Sequence, residues 1–283
     1  MKRVRVLLGL PWYQGPDPNT YQLYFEQMHY YGRLRERCEW LNWIGEKYGR
    51  DDQVAALKEL PLLDPMRADG DSQEITLEDD SIFEFGLTDE TSLSLPGWAR
   101  ERCVENALKW NADWIFFWDA DMRFPWSTFL KLWRHQKPVI AALAFTAREP
   151  TYPVISRILE KPDTENLVPN AIKYIAEPVF DYPKDQLIGG SDIGGSLAFG
   201  TGVCLINLNV FRQIPKPWFH STGCGEDFMF CVRCHLHGVP RYVDTATKTQ
   251  HKKHNPSWID ESVFLSSYEA NPEEYAALLE RLS

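Results

Sequence analysis

Apolar residues along the chain fall into short runs of strand length, and these alternate with stretches of helical period. "VRVLLGL", ending at Pro11, is such a run and predicts a first β-strand. "GPDPNTYQ" follows as a turn, with Asn19 or Thr20 capping an amphipathic helix that runs to about Tyr48. From Gly49 to Asp80 the chain is polar and broken by Pro61, Pro65 and Gly70, the mark of an insertion or surface excursion. "SIFEFGL" predicts a short strand. "SLPGWARERCVENALKW" predicts a helix opened near Pro96, with Ala99, Cys103, Ala107 and Trp110 on one face.

"ADWIFFWDADM" then carries a five-residue apolar run, Trp114 to Trp118, directly into acid. A helix over "PWSTFLKLWRHQ" and a strand over "PVIAALAF" come next. The rhythm is β-α-β, which implies an α/β fold with a mainly parallel sheet flanked by helices. Thr146 to Ile193 reads as proline-rich and irregular. A glycine cluster, "GGSDIGGSLAFGTGVCLINL", leads into another strand, and a helix at "GED" and a strand at "PRYVDTA" complete the core. The tail carries a helix with Asn271 as N-cap and Pro272 at its first position. One domain over 1–255, with its insertion at 49–80, and a helical tail over 256–283 is the expected organisation.

Composition narrows the function classes. The 283 residues suffice for a full core, and 44% hydrophobic with 25% charged residues is an ordinary globular balance. The aromatic load, 11 Trp, 12 Tyr and 15 Phe, favours a site lined with flat faces, although most aromatics belong to the core. A net charge of −10 repels nucleic acid and anionic membrane, except through a local basic patch such as Lys252, Lys253 and His254. No apolar run reaches the roughly 18 residues of a membrane span. The basic, briefly apolar start lacks the longer core and cleavage site of a signal peptide, so a cytoplasmic chain with six reduced cysteines is expected.

"CGEDFMFCVRCHLHG" admits three readings. Cys231, Cys234 and His235 have the spacing of a haem attachment site, and with Cys224 and His237 they have the makings of a zinc site. As a helix ended by Gly238, the same residues place Cys231 and Cys234 one turn apart, sharing a face with Phe228 and His235 against the sheet. No second cysteine pair stands nearby. The cysteines therefore read as core, and the chemistry moves to the acids before them.

Asp119 and Asp121 lie at the carboxyl end of an apolar strand, where ligands gather in open α/β sheets. In extended chain that spacing points both carboxylates the same way, as a hard divalent ion requires. The plainer alternative is a helix-start cap ahead of Pro125. Asp69 and Asp71 share the spacing but follow no strand, and they read as a solvated turn. Glu226 and Asp227 suit a helix N-terminus on dipole grounds alone. His251, in "HKKH", is either a ligand or part of a solvated basic turn. Gly200, Thr201 and Gly202 form a tight turn or let backbone approach a ligand closely.

Together "ARERCVENALKWNADWIFFWDADMRFPWSTFLKLW", "FGTGVCLINLNVF" and "CGEDFMFCVRCHLHGVPRYVDTATKTQH" resemble a glycosyltransferase of the GT-A fold, similar to its family-2-like members. The match spans most of Leu93 to His251 and the first strand. The resemblance implies a single Rossmann-like α/β domain in which Asp121 binds Mn2+ or Mg2+ and the metal holds the diphosphate of a nucleotide sugar. It implies that Asp119 reaches the ribose or the metal through water, and that His251 completes the metal site. Asp227 becomes the base that deprotonates an acceptor hydroxyl, with Glu226 helping to hold the acceptor. Pro11, Trp12 and Tyr13 would lie against the nucleobase, and Arg100 and Arg102 would contact the donor. The family's usual Arg-Asn pair is missing there, since Cys103 follows Arg102.

The expected activity is thus metal-dependent transfer from a nucleotide sugar, most often a UDP-sugar, with inversion. The acceptor is a glycan, lipid, protein or modified DNA base, approached by the loop Gly200–Gly202 and with Trp218 free to stack on a sugar or base. The alternatives are the same transfer onto a hydroxymethylated DNA base, and a domain that holds nucleotide or glycan without turnover.

Overall fold

Alternate residues of the first strand go to opposite faces of the central sheet, and that sorting builds two cores. The structure, a computed structural model, describes residues 2–12, 81–91, 96–119, 121–125, 127–160, 174–219, 225–252 and 258–282. The expected helix after Asn19, the insertion at 49–80, Tyr13, Cys224, Lys253 and His254 lie outside those residues.

Strand β1 (Lys2–Trp12) runs parallel to β2 (Ser81–Thr91) on one side and to β3 (Trp114–Trp118) on the other. Val4, Val6, Leu8 and Leu10 of β1 meet Phe83, Trp114, Phe116 and Trp118 on one face. That face is covered by Phe129, Leu132 and Trp133 of helix α2 (Thr128–Arg134). Leu7, Ile115 and Phe117 take the opposite face, against Cys103, Val104 and Ala107 of helix α1 (Pro96–Lys109). All five residues of β3 are buried because both faces are covered. An alternating strand exposed on one side reads half polar; this one reads apolar throughout.

The sheet holds seven strands in the order β2-β1-β3-β10-β5-β11-β8. Here β5 is Val139–Leu143, β8 Leu187–Ile188, β10 Val203–Asn207 and β11 Tyr242–Lys248. Strand β10 enters antiparallel to both β3 and β5, and β8 is antiparallel to β11, so the sheet is mixed. The expectation of a mainly parallel sheet did not include this insertion. An apolar run of five residues carries no sign of its direction.

The stretch from Thr146 to Ile193, expected to be irregular, contains β6 (Ile155–Glu160) and β7 (Tyr174–Pro178), which form a second sheet with β9 (Ser196–Phe199). These strands are largely half-buried, so the alternation that betrays a strand is weak. A third small sheet joins β4 (Met122–Arg123), β12 (Gln250–Lys252) and β13 (Trp258–Ile259). Helix α3 (Leu208–Gln213) follows β10, and helix α4 (Glu226–Leu236) precedes β11. Gly238, at φ +66, turns the chain out of α4, and Val239 N–H donates back to Cys234 O.

The C-terminal segment packs onto the main core. Helix α5 (Glu261–Ala270), capped by Asp260 through Ser262 and Val263 N–H, was not expected; helix α6 (Pro272–Leu282) was. Phe264, Tyr275 and Leu278 are buried in the same core as α1 and α4. The Tyr275 hydroxyl donates to Thr151 O at 2.7 Å. Tyr275→Phe leaves that buried carbonyl without its partner and is expected to cost about 1–2 kcal/mol, read as a lowered midpoint in urea unfolding. An unchanged midpoint would mean that the segment adds no stability through this bond.

Among the described residues, no helix is long and apolar enough to cross a membrane. Cys231 and Cys234 are wholly buried on α4, and burial pushes the Cys231 thiol up to about 11 and the Cys234 thiol higher still. Both pack as small hydrophobes. His235, expected on the same buried face, points to solvent instead.

Candidate functional site

Three hydrogen-bonded connections assemble a cluster of acids at the carboxyl end of β3. First, Asp119 N–H donates to Gly202 O at 2.8 Å, which extends the β3–β10 ladder by one step and sets the Gly200–Gly202 turn against Asp119. Second, β12 pairs with β4 so that His251 lies opposite Met122, while Lys252 N–H donates to Asp121 O. This brings His251 Nε2 to 3.1 Å from Asp121 Oδ2. Third, Thr201, wholly buried, donates its hydroxyl to Asp227 Oδ1 in the first turn of α4.

Gly202 sits tightly against its neighbours. A Cβ there would sit 3.1 Å from Asp119 Oδ2 and 3.3 Å from Met122. At Gly200 a Cβ would crowd Val154 at 3.1 Å and reach 3.7 Å from Asp227 Oδ2. The turn therefore passes close to both acid groups.

Arg100, on α1 and only 2% exposed, links these parts. Its Nη2 donates to Asp119 Oδ2 at 2.8 Å, and its Nε lies 3.4 Å from Asp227 Oδ1 and 3.6 Å from Glu226 Oε1. Burial opposes its charge, but the three acids outweigh burial and hold it more firmly protonated than an ordinary arginine. One cation for three carboxylates leaves the cluster with excess negative charge. Burial, ahead of the opposing pull of Arg100, pushes the Asp119 carboxyl up. Burial and then the charge of Asp227 do the same to Glu226. Arg100 Nε and Nη1 and Asp119 Oδ1 are buried and find no hydrogen-bond partner among the described residues.

His251 is oriented by its other nitrogen. Nδ1 lies 2.7 Å from Phe145 O, and since a carbonyl only accepts, Nδ1 carries the proton. Nε2 then faces Asp121 either as a second donor or as a lone pair. Burial works against charge on His251, but the hydrogen bond and charge of Asp121 outweigh it, and the His251 pKa is raised. Asp121 is correspondingly held below the usual carboxylate range by His251, against burial.

For the Mn2+ or Mg2+ that the resemblance implies, the described residues offer no ready-made cage of three His, Cys, Asp or Glu side chains. The donors that suit such an ion are Asp121 and the pinned His251 Nε2, with Asp119 turned onto Arg100. Mg2+ is commonly held by one or two carboxylates, the remaining ligands being substrate phosphates and water. A ring nitrogen fixed by a backbone carbonyl is the usual setting of a histidine ligand. Asp121 and His251 would suit an ion whose remaining ligands come from outside the protein.

The other expected site residues divide. Pro11, buried at the end of β1, lies at the same edge of the sheet as Asp119, and the backbone of Trp12 continues the pairing with β2. Arg100 contacts protein carboxylates rather than standing at the surface for a donor. Arg102 lies on the exposed side of α1 and borders a different groove. Trp218 is a correction: it is 4% exposed, with its indole N–H donating to Ile214 O at 3.0 Å and its ring against Phe211. A ring so enclosed has no free face for a sugar or base. Trp98, which is 60% exposed, went unremarked. Its signal was present, since it lies off the Ala99–Cys103–Ala107 stripe of α1.

No protein-family model matches the chain, and no curated protein matches it in sequence. Among solved structures, the crystal structure of A197 from STIV is similar over 63% of this chain and 81% of that one, at 14% identity and a TM-score of 0.40. A likeness at that level decides nothing about the chemistry of the cluster.

Proposed function

We propose that the protein is a metal-dependent glycosyltransferase of the GT-A type, moving a sugar from a nucleotide-sugar donor to an acceptor hydroxyl. The observation that carries this reading is Arg100, whose one guanidinium joins Asp119 of the strand-end pair to Glu226 and Asp227 of the helix-start pair. Two acidic motifs far apart in sequence thereby share one guanidinium. Such transfer needs a carboxylate beside the acceptor and a neighbouring place for a charged diphosphate, side by side.

Asp227 is the base. Thr201 occupies its Oδ1, so Oδ2, on the side of Gly200, is the oxygen that takes the acceptor's proton. A hydroxyl losing that proton attacks the anomeric carbon as the diphosphate oxygen leaves, and a single displacement of this kind inverts the centre. Glu226, kept more readily protonated by burial and by Asp227, is suited to hydrogen-bond the acceptor rather than to compete as base. Arg100 keeps Asp119 and Asp227 apart and correctly aimed. Asp121 and His251 would hold the divalent ion, which when bound supplies positive charge for the departing diphosphate.

The test is calorimetric. Wild-type protein with Mn2+ is expected to bind UDP, and Asp121→Asn to weaken that binding by at least about tenfold, since even outer-sphere changes at metal sites commonly cost as much. Slow metal-dependent release of UDP from a UDP-sugar would separate an enzyme from a domain that only binds. If Mn2+ makes no difference to UDP binding, the metal-bridged reading fails.

A further inference from the structure

A second concavity opens beside the acid cluster, along the start of α1. It is a groove of about 590 Å3 between the first turns of α1 and the segment Lys216–Phe219, and Glu226 stands at one end. The walls meet closely: a Cβ on Gly97 would lie 2.2 Å from Phe219 O, and Phe219 N–H donates to Glu101 Oε1 at 2.5 Å. Trp98, 60% exposed, stands in the groove as the one large aromatic ring among the described lining residues that presents a face to solvent. A bare indole on the wall of a groove offers a flat apolar face with a polar edge to a ligand that enters it.

The remaining lining says what. Glu101, Glu105 and Glu226 face Arg102 and Lys216, with Lys216 Nζ paired to Glu105 at 2.5 Å. An acyl chain laid on the apolar floor of Pro96, Trp98 and Pro217 would cover these charges without pairing them, and a polyanion would meet more acid than base. A flat aromatic face ringed by carboxylates and cations suits a ligand with an apolar C–H face and a rim of uncharged hydroxyls. That ligand is a sugar ring. The groove ends at Glu226, whose neighbour Asp227 is the base proposed above.

We propose that this groove is the acceptor subsite and takes a neutral glycan, with one sugar ring stacked on Trp98. The inference rests on the transferase reading for the word "acceptor", while the glycan site itself rests on the groove. It singles out uncharged carbohydrate from the four acceptor classes open at the level of sequence.

Saturation-transfer NMR with neutral trisaccharides of glucose, galactose and N-acetylglucosamine tests it, run on wild type, Trp98→Ala and Trp98→Phe. Trp98 is a surface residue, so the fold should tolerate both changes. At least one trisaccharide is expected to bind wild type, to bind Trp98→Ala about tenfold more weakly, which is ~1.4 kcal/mol of lost stacking, and to bind Trp98→Phe in between. UDP binding with Mn2+ should be the same in all three. Sugar binding that ignores Trp98, no binding of any trisaccharide by wild type, or preferential binding of a single-stranded oligonucleotide or a lipid micelle each overturns the proposal. If sugar binding depends on Trp98 but wild type shows no Mn2+-dependent UDP binding, the glycan site stands and the acceptor role falls with the transferase reading.

Discussion

Replacing Asp227 with asparagine will lower the proposed sugar transfer by roughly 10²–10⁴-fold, the usual contribution of a positioned general base. The substitution is nearly silent structurally. Thr201 donates to Asp227 Oδ1, and an asparagine oxygen accepts that bond equally well. What is lost is the basicity of the second oxygen beside Gly200. Binding of UDP with Mn2+ should therefore persist while the release of UDP from a UDP-sugar collapses. Turnover of Asp227→Asn at the wild-type rate would remove Asp227 from its role and leave Glu226 as the acid to examine.

Arg100→Met carries the largest expected loss of stability. The side chain is 2% exposed and lies against Asp119, Glu226 and Asp227, so its removal strands half-buried carboxylates without their cation. Breaking a buried pair from one side commonly costs about 3–5 kcal/mol. The loss should depend on pH, and its sign follows from the acids. Asp119 and Glu226 already have raised pKa values, so the folded protein holds their protons more readily than the unfolded chain does. Each costs stability once pH rises above its unfolded value, and that cost is relieved as pH falls through the folded value. Without Arg100 both pKa values climb further and the penalty at neutral pH grows. Chemical unfolding at pH 8 should show the full deficit of Arg100→Met, and unfolding at pH 5 a smaller one. An equal deficit at both would mean that the carboxylates are not what Arg100 holds in place.

Legibility differed from element to element for physical reasons. Helix α1 was readable because its small residues recur every four positions and Pro96 marks its start, and β3 because five apolar residues run straight into acid. Helix α5 escaped, although Asp260 is a recognisable cap, because only Phe264 of its apolar residues is fully buried and the stripe is thin. Strands β6 and β7 escaped because half-burial on both faces blurs their alternation. Asp119 and Asp121 could be singled out from the strand that precedes them, whereas roles for Glu226, Asp227 and His251 came only from the family resemblance. The role of Thr201 could be read from neither, as its hydroxyl matters only through a helix that follows it in sequence by more than twenty residues.

Sequence by itself determined which segments are apolar, where helices begin and end, and that acids gather at the close of one strand and the opening of one helix. Tertiary structure alone decided that these acids meet. It inserted β10 against the direction of its neighbours, carried His251 to Asp121 through a three-stranded sheet, hid Trp218 while baring Trp98, and drew Arg100 beneath the carboxylates instead of above them. Local pattern reports what a residue prefers to touch, water or oil. It does not report which of many distant partners will be there, because that depends on the packing of every element at once.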